Sequence, residues 1–219
     1  MEAILFDWDG TLADSLDAFY RANARVAEHF GVPFDRDRYR AVYTPDWRRF
    51  YGRLGIPEAR LDEANELWWA AFEPAARPLA GAREALEALA AAGFRLGLVT
   101  ATPRAIVDPQ VAGFGMADLL VVRVCGDDLA AVKPDPAPLR RALDELGLAD
   151  RPDAATYVGD APDDMRMARA TGTGAVGVRS LLGADADLLA AGAGSVHDSV
   201  AEWARSFLAA SGTAAVATG

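Results

Sequence analysis

Cysteine and histidine are scarce in this sequence: Cys125 is the one cysteine among 219 residues, and His29 and His197 are the two histidines. A single thiol closes no disulfide within the chain and builds no cysteine-rich metal site. The apolar residues before it (Leu120, Val121, Val122 and Val124) suit a strand, and Cys125 reads as a packed core thiol. Neither histidine lies near a polar motif, so histidine catalysis is not expected, and both read as ordinary helix or loop residues.

Positive charge is also in short supply. Lys and Arg number 22 against 32 Asp and Glu, a net charge of −10, and no basic block interrupts the deficit. Nothing here would release counterions from a nucleic-acid backbone, so nucleic acid is excluded as a partner. A phosphate site in so acidic a protein must bring its own local cation. Long apolar runs are missing too: none approaches the ~18 residues that cross a bilayer. The N-terminal stretch, with Glu2 and Asp7 among its apolar residues, lacks the pattern of a secretory signal. A cytoplasmic protein with no membrane partner is the expectation.

The residues that are abundant describe a globular chain: 52% are hydrophobic and 25% charged. At about 100–200 residues per domain, the length allows one large domain or a core with a smaller companion. Short runs rich in Val, Ile and Leu recur at Ala3–Phe6, Phe94–Thr100, Leu119–Val124, Thr156–Gly159 and Ala175–Val178. Continuous apolar runs of this length suit strands buried on both faces, as in a parallel sheet. Helical patterns alternate with them, at Ala82–Ala92 and at Pro138–Leu146, the latter opened by Pro136 and Pro138 and closed by Gly147. The fold class is therefore α/β: a Rossmann-like parallel sheet with helices on both faces. One gap breaks the rhythm. Residues 16–78 read as helical almost throughout, including Leu16–Phe30 and Leu61–Phe72, with prolines as punctuation. This predicts a core of residues 1–15 and 79–219 and an inserted helical domain of residues 16–78, hinged near Ser15 and Arg77–Ala80. The uncharged tail from Ala209 to Gly219 is expected to be loosely held.

Polar residues gather where these strands end, the side on which open parallel sheets bind ligands. Asp7-Trp8-Asp9-Gly10-Thr11 follows the first strand, although alone it could be a capped turn. Thr100-Ala101-Thr102 follows the second, and a threonine before Pro103 could cap a helix. Lys133-Pro134 could be a surface lysine in a restricted loop. Gly159-Asp160-Ala161-Pro162-Asp163-Asp164 opens a helix, whose dipole favours acid there. Together they describe a mechanism. All-oxygen ligands suit Mg²⁺, and a cation with Lys133 would neutralise a phosphate dianion beside the nucleophile Asp7. Asp9, crowded by like charges, would have a raised pKa and act as general acid and then base.

In this order and spacing the four segments resemble the motifs of the haloacid dehalogenase superfamily, and the insertion resembles its class I cap. The phosphoglycolate-phosphatase-like branch is the nearest resemblance. It implies a Mg²⁺-dependent phosphatase acting on a small phosphorylated metabolite through an aspartyl-phosphate, as a monomer or homodimer. Asp7 would be nucleophile and metal ligand. Asp9 would be acid/base and would ligate the metal through its backbone carbonyl. Thr100, Ala101 and Lys133 would bind phosphate, Asp160 would bind the metal, and Asp164 would support it through water. Ala101 stands where many relatives carry Asn or Ser, which removes one side-chain contact. A phosphomutase of the β-phosphoglucomutase kind shares all four motifs, and a catalytically silent module could share the fold. A magnesium-free dehalogenase would lack Asp9. Arg48 and Arg49, after Trp47, are candidate contacts for an anionic leaving group, with a solvated helix face as the alternative. Gly172-Thr173-Gly174-Ala175-Val176-Gly177 fits a dinucleotide fingerprint but has its helix before and its strand after, the reverse of what that motif needs.

Overall fold

Every side chain of the first strand is buried, and alternate residues enter different cores. A computed structural model describes the backbone of residues 1–217 and the side chains of residues 1–210. In chain order its elements begin with β1 (Ala3–Phe6), β2 (Ala13–Asp14), α1 (Leu16–His29), α2 (Arg36–Val42), α3 (Trp47–Leu54), α4 (Leu61–Ala71) and β3 (Arg77–Pro78). Then come α5 (Ala82–Ala91), β4 (Arg95–Val99), α6 (Arg104–Gly113), β5 (Leu120–Val124), α7 (Ala137–Glu145), β6 (Ala155–Gly159) and α8 (Pro162–Thr171). β7 (Gly174–Val178), α9 (Asp185–Ala191), β8 (Ser195–His197) and α10 (Val200–Ala217) complete the chain.

The main sheet has six strands in the order β5-β4-β1-β6-β7-β8, all paired in parallel. Ile4 and Phe6 of β1 pack with Leu86, Leu89, Val107 and Trp203 from α5, α6 and α10. Ala3 and Leu5 face the other way, toward Leu139, Leu143 and Met167 from α7 and α8. The period-two alternation of a strand thus feeds two helix layers. β1 lies between β4 and β6, and its last residue, Phe6, pairs with Leu98 and Val158. The chain after each of these three strands therefore emerges at one edge, side by side.

Helices α1–α4 carry a core of their own, in which Val26, Tyr39, Phe50, Tyr51, Leu54 and Leu61 are buried together. Its contacts with the rest run through Ala161 and Leu182. Asp35 and Asp46 cap α2 and α3 by accepting hydrogen bonds from the amides of Arg38 (2.7 Å) and Arg49 (3.1 Å). The chain enters and leaves these helices through an antiparallel ribbon in which Ala13 faces Pro78 and Asp14 faces Arg77.

The α/β class and the central strands match the sequence reading. β8 and the β2–β3 ribbon were not expected, because two or three residues carry too short a pattern to register. The expectation of a loosely held tail at 209–219 falls almost wholly on residues whose side chains lie outside the described ones; along the backbone α10 continues to Ala217, and residues 218 and 219 lie outside the described residues. Among the described residues no helix is long and apolar enough to cross a membrane.

Cys125 follows β5 and is 2% exposed. Burial pushes its thiol up to about 12, with Arg104 opposing and Asp128 reinforcing the shift. The reactive thiolate is therefore suppressed. Ellman's reagent at mildly alkaline pH should label Cys125 only after unfolding in denaturant; labelling of the native protein at the rate of a free thiol would contradict this burial.

Candidate active site

The register of the sheet delivers Asp7, Thr100 and Asp160 to one edge. The Asp7 amide donates to the Val158 carbonyl (2.9 Å) and that of Thr100 to the Val124 carbonyl (3.0 Å), so each loop begins while still tied to a neighbouring strand. Asp7, Thr100, Lys133, Asp160 and Asp164 are all buried. Lys133 is no surface lysine. Its ammonium donates to Asp7 Oδ1 at 2.5 Å, lies 2.8 Å from Asp164 Oδ1, and sits 5.3 Å from the centre of the Tyr157 ring.

Asp164 engages both of its carboxylate oxygens. Oδ2 accepts from the amides of Asp160 (3.2 Å) and Ala161 (3.0 Å), and Oδ1 accepts from the Tyr157 hydroxyl (3.4 Å) besides facing Lys133. Asp160 is less satisfied. Thr11 donates to its Oδ1 at 3.4 Å, while its Oδ2 is buried without a hydrogen-bond partner. Asp9 turns its side chain toward hydroxyls: Ser15 donates to Oδ1 and Thr102 to Oδ2, each at 2.6 Å.

These burials set the electrostatics. Burial pushes the Asp7 carboxyl up to about 7; Lys133 pulls it down, and Asp164 and Asp9 add to the rise. Burial also holds Asp160 well above the carboxylate range, reinforced by Asp7 and Asp164 and opposed by Ser180 and Lys133. For Lys133, burial opposes the charge, but Asp164 and Asp7 outweigh it and keep the ammonium protonated. Asp9 is raised as expected, though for a different reason: burial is the cause, and the Ser15 and Thr102 hydrogen bonds oppose it.

One ammonium therefore faces the carboxylates of Asp7, Asp9, Asp160 and Asp164, a deficit of positive charge that burial makes costly. Oxygens of Asp7, Asp160 and Asp164 lie within 4.8 Å of one another. Hard, closely spaced donors with an unpartnered Asp160 oxygen fit a divalent cation such as Mg²⁺.

A cavity of about 590 Å³ opens over this cluster, walled on the far side by α1–α4. Asp7, Asp9, Thr100, Ala101, Lys133 and Asp164 line it, whereas the fully buried Asp160 does not. Arg48 also lines it, but its guanidinium pairs with Asp62 at 2.8 Å and lies 4.4 Å over the Trp47 ring. Arg49 is not among the lining residues; it is exposed, and its amide is engaged by Asp46. Sequence reasoning missed Thr11, Ser15, Thr102 and Tyr157 as partners of the carboxylates, and offered for Thr102 only the alternative of a helix cap. His29 and His197 stay outside the site, paired with Glu63 (3.0 Å) and Glu202 (2.7 Å).

The haloacid dehalogenase-like hydrolase family model matches residues 4–178. The phosphoglycolate phosphatase of Rhodospirillum rubrum is 38% identical over 186 residues, covering 78% of this chain and 76% of that protein. The N-acetylmuramic acid 6-phosphate phosphatase of Pseudomonas aeruginosa is 30% identical over 187 residues, covering 82% of each. Among solved structures, a haloacid dehalogenase-like hydrolase from Bacteroides fragilis has a TM-score of 0.84 over 92% of this chain and 98% of that one; its 23% identity supports the fold alone. CbbY from Rhodobacter sphaeroides, in complex with phosphate, has a TM-score of 0.71 at 28% identity, over 92% and 96% of the two chains.

Gly10 allows the first and fourth loops to meet. Its φ is +79°, and a Cβ there would overlap the Asp160 carboxylate and the Leu16 side chain. Gly10→Ala should therefore lower the thermal midpoint, with about 1–2 kcal/mol lost to the left-handed backbone alone, and should displace Asp160. An unchanged midpoint would show that the loop carries no such constraint.

Proposed function

Because the chain belongs to the haloacid dehalogenase-like hydrolase family, in its phosphoglycolate-phosphatase-like branch, and is a phosphoric monoester hydrolase, we propose that it works in two steps through an aspartyl-phosphate on Asp7. The observation that carries this reading is the buried cluster of Asp7, Asp160 and Asp164 against the single ammonium of Lys133.

In the first step an oxygen of Asp7 attacks phosphorus, and the bond from phosphorus to the ester oxygen breaks. Asp9, whose carboxyl burial raises above its ordinary value, gives its proton to the departing oxygen. In the second step the Asp9 carboxylate takes a proton from water as that water attacks phosphorus. The bond to Asp7 breaks, inorganic phosphate leaves, and Asp9 is again protonated. Lys133 holds Asp7 in place and pairs with the phosphoryl oxygens, while Thr100 and the Ala101 backbone bound the phosphate from the second loop. Asp7 and Asp160, with the Asp9 carbonyl, would hold Mg²⁺, and Asp164, whose oxygens are already engaged, would support it. When bound, that ion supplies the positive charge that lets a phosphate dianion approach these carboxylates.

Residues 16–78 act in this reading as a cap closing over the phosphate, hinged at the β2–β3 ribbon. Closure excludes water and strengthens every charge interaction beneath it.

Hydrolysis of p-nitrophenyl phosphate should require Mg²⁺, stop in EDTA and return when Mg²⁺ is restored. Asp7→Asn should abolish turnover and any trapped phosphoenzyme. Asp9→Asn should lose about 10²–10⁴-fold or more in kcat, because it serves both steps. Full activity in chelator would remove the metal from the scheme, and wild-type turnover by Asp7→Asn would end the covalent mechanism.

A further inference from the structure

The cavity wall opposite the carboxylates is rich in rings and poor in available charge. Phe19, Tyr43, Trp47 and Trp68 line it. Arg48, the cationic residue of that wall, is held by Asp62. The carboxylate of the wall, Asp46, accepts from the Arg49 amide, and Asp127 lies on the core side. A second anionic group on a substrate would thus meet carboxylates, with Arg48 already paired to Asp62 and Lys133 taken up by Asp7, Asp164 and the phosphoryl group.

The neutral polar groups of the wall are different. Asn65 lines the cavity, and its side-chain amide makes no hydrogen bond among the described residues. Thr44 also lines it, 4% exposed, and its hydroxyl is buried without a partner. An unsatisfied buried hydroxyl is costly to the protein alone. Size points the same way. A cavity of about 590 Å³ is in the range that encloses ring-bearing ligands, and a two-carbon acid would leave most of it to water.

We infer that the alcohol released here is an uncharged, hydroxyl-bearing ring that lies against Trp47 and Tyr43 and bonds to Asn65 and Thr44, rather than a short carboxylic acid. This rests on the phosphatase reading above. Two sources share that chemistry: the sugar of a simple sugar phosphate and the ribose of a nucleoside monophosphate.

The test compares kcat/KM, with Mg²⁺ present, for acetyl phosphate, 2-phosphoglycolate, glucose 6-phosphate and uridine 5′-monophosphate. At least one ring ester should exceed 2-phosphoglycolate by about ten-fold or more, and the order of the two ring esters identifies the source. Equal or better turnover of 2-phosphoglycolate overturns the inference. Acetyl phosphate, an acyl phosphate with neither ring nor free carboxylate, is the reference; if none of the four compounds is hydrolysed, the phosphatase reading fails, which is a distinct result. Asn65→Ala and Trp47→Ala should raise KM for the preferred ring ester about ten-fold more than for acetyl phosphate. Thr44→Val removes an unpartnered hydroxyl, so it should keep or raise the thermal midpoint while raising that same KM. Equal losses on both substrates, or a loss of 2-phosphoglycolate turnover confined to Arg48→Ala, would overturn the assignment.

Discussion

The ammonium of Lys133, buried between Asp7 and Asp164, is the contact on which the site depends. Burial raises the Asp7 carboxyl, and the ion pair with Lys133 opposes that rise where the strand leaves it. Breaking such a buried pair by removing one partner typically costs about 3–5 kcal/mol, because the other charge is left behind. The triad also ties three distant parts of the chain together. Asp7 follows β1, Asp164 lies in the first turn of α8, and Lys133 comes from the loop before α7. Tyr157 extends the link inward, donating to the Val99 carbonyl at 2.7 Å with its hydroxyl 3.4 Å from Asp164 Oδ1. The hydrophobic cores on the two sides of β1 fix where these groups stand, and the ion pair fixes which way they point.

The fold was largely legible because its central strands are apolar throughout. Ala3–Phe6 has no polar face to mislead, and its burial on both sides leaves few architectures open. The main carboxylates were legible for a related reason, since acids placed directly after buried strands have no packing role. Their partners were not. Lys133 is the exception: the resemblance already set it beside Asp7, although Pro134 and Asp135 look like a surface loop and the contact spans 126 residues. Thr102 before Pro103 has the local form of a cap, yet its hydroxyl serves Asp9 across 93 residues. Tyr157 was hidden in an apolar strand. The pair Arg48 and Arg49 could not be divided by composition; in the fold α3 brings Arg48 to the cavity and leaves Arg49 exposed outside it.

Trp8 shows how a residue between two functional ones can be occupied by support. Its indole is fully buried, stacks on Phe114 with ring centres 5.5 Å apart, and donates to Gln110 Oε1 at 2.7 Å. Gln110 in turn donates to the Pro74 carbonyl at 3.2 Å, on the segment returning from the helical insertion. The backbone between Asp7 and Asp9 is thus braced by α6 and by the end of the insertion together.

The ribbon of Ala13–Asp14 with Arg77–Pro78 has a wider consequence. It brings the two ends of a long excursion next to each other and seals them, so that the sheet sees only a hairpin whatever lies beyond. The cost of closing a longer excursion rises slowly with its length once the ends are joined. Such a junction is a socket: the strand ends can stay fixed while the length and surface of the helices beyond it vary.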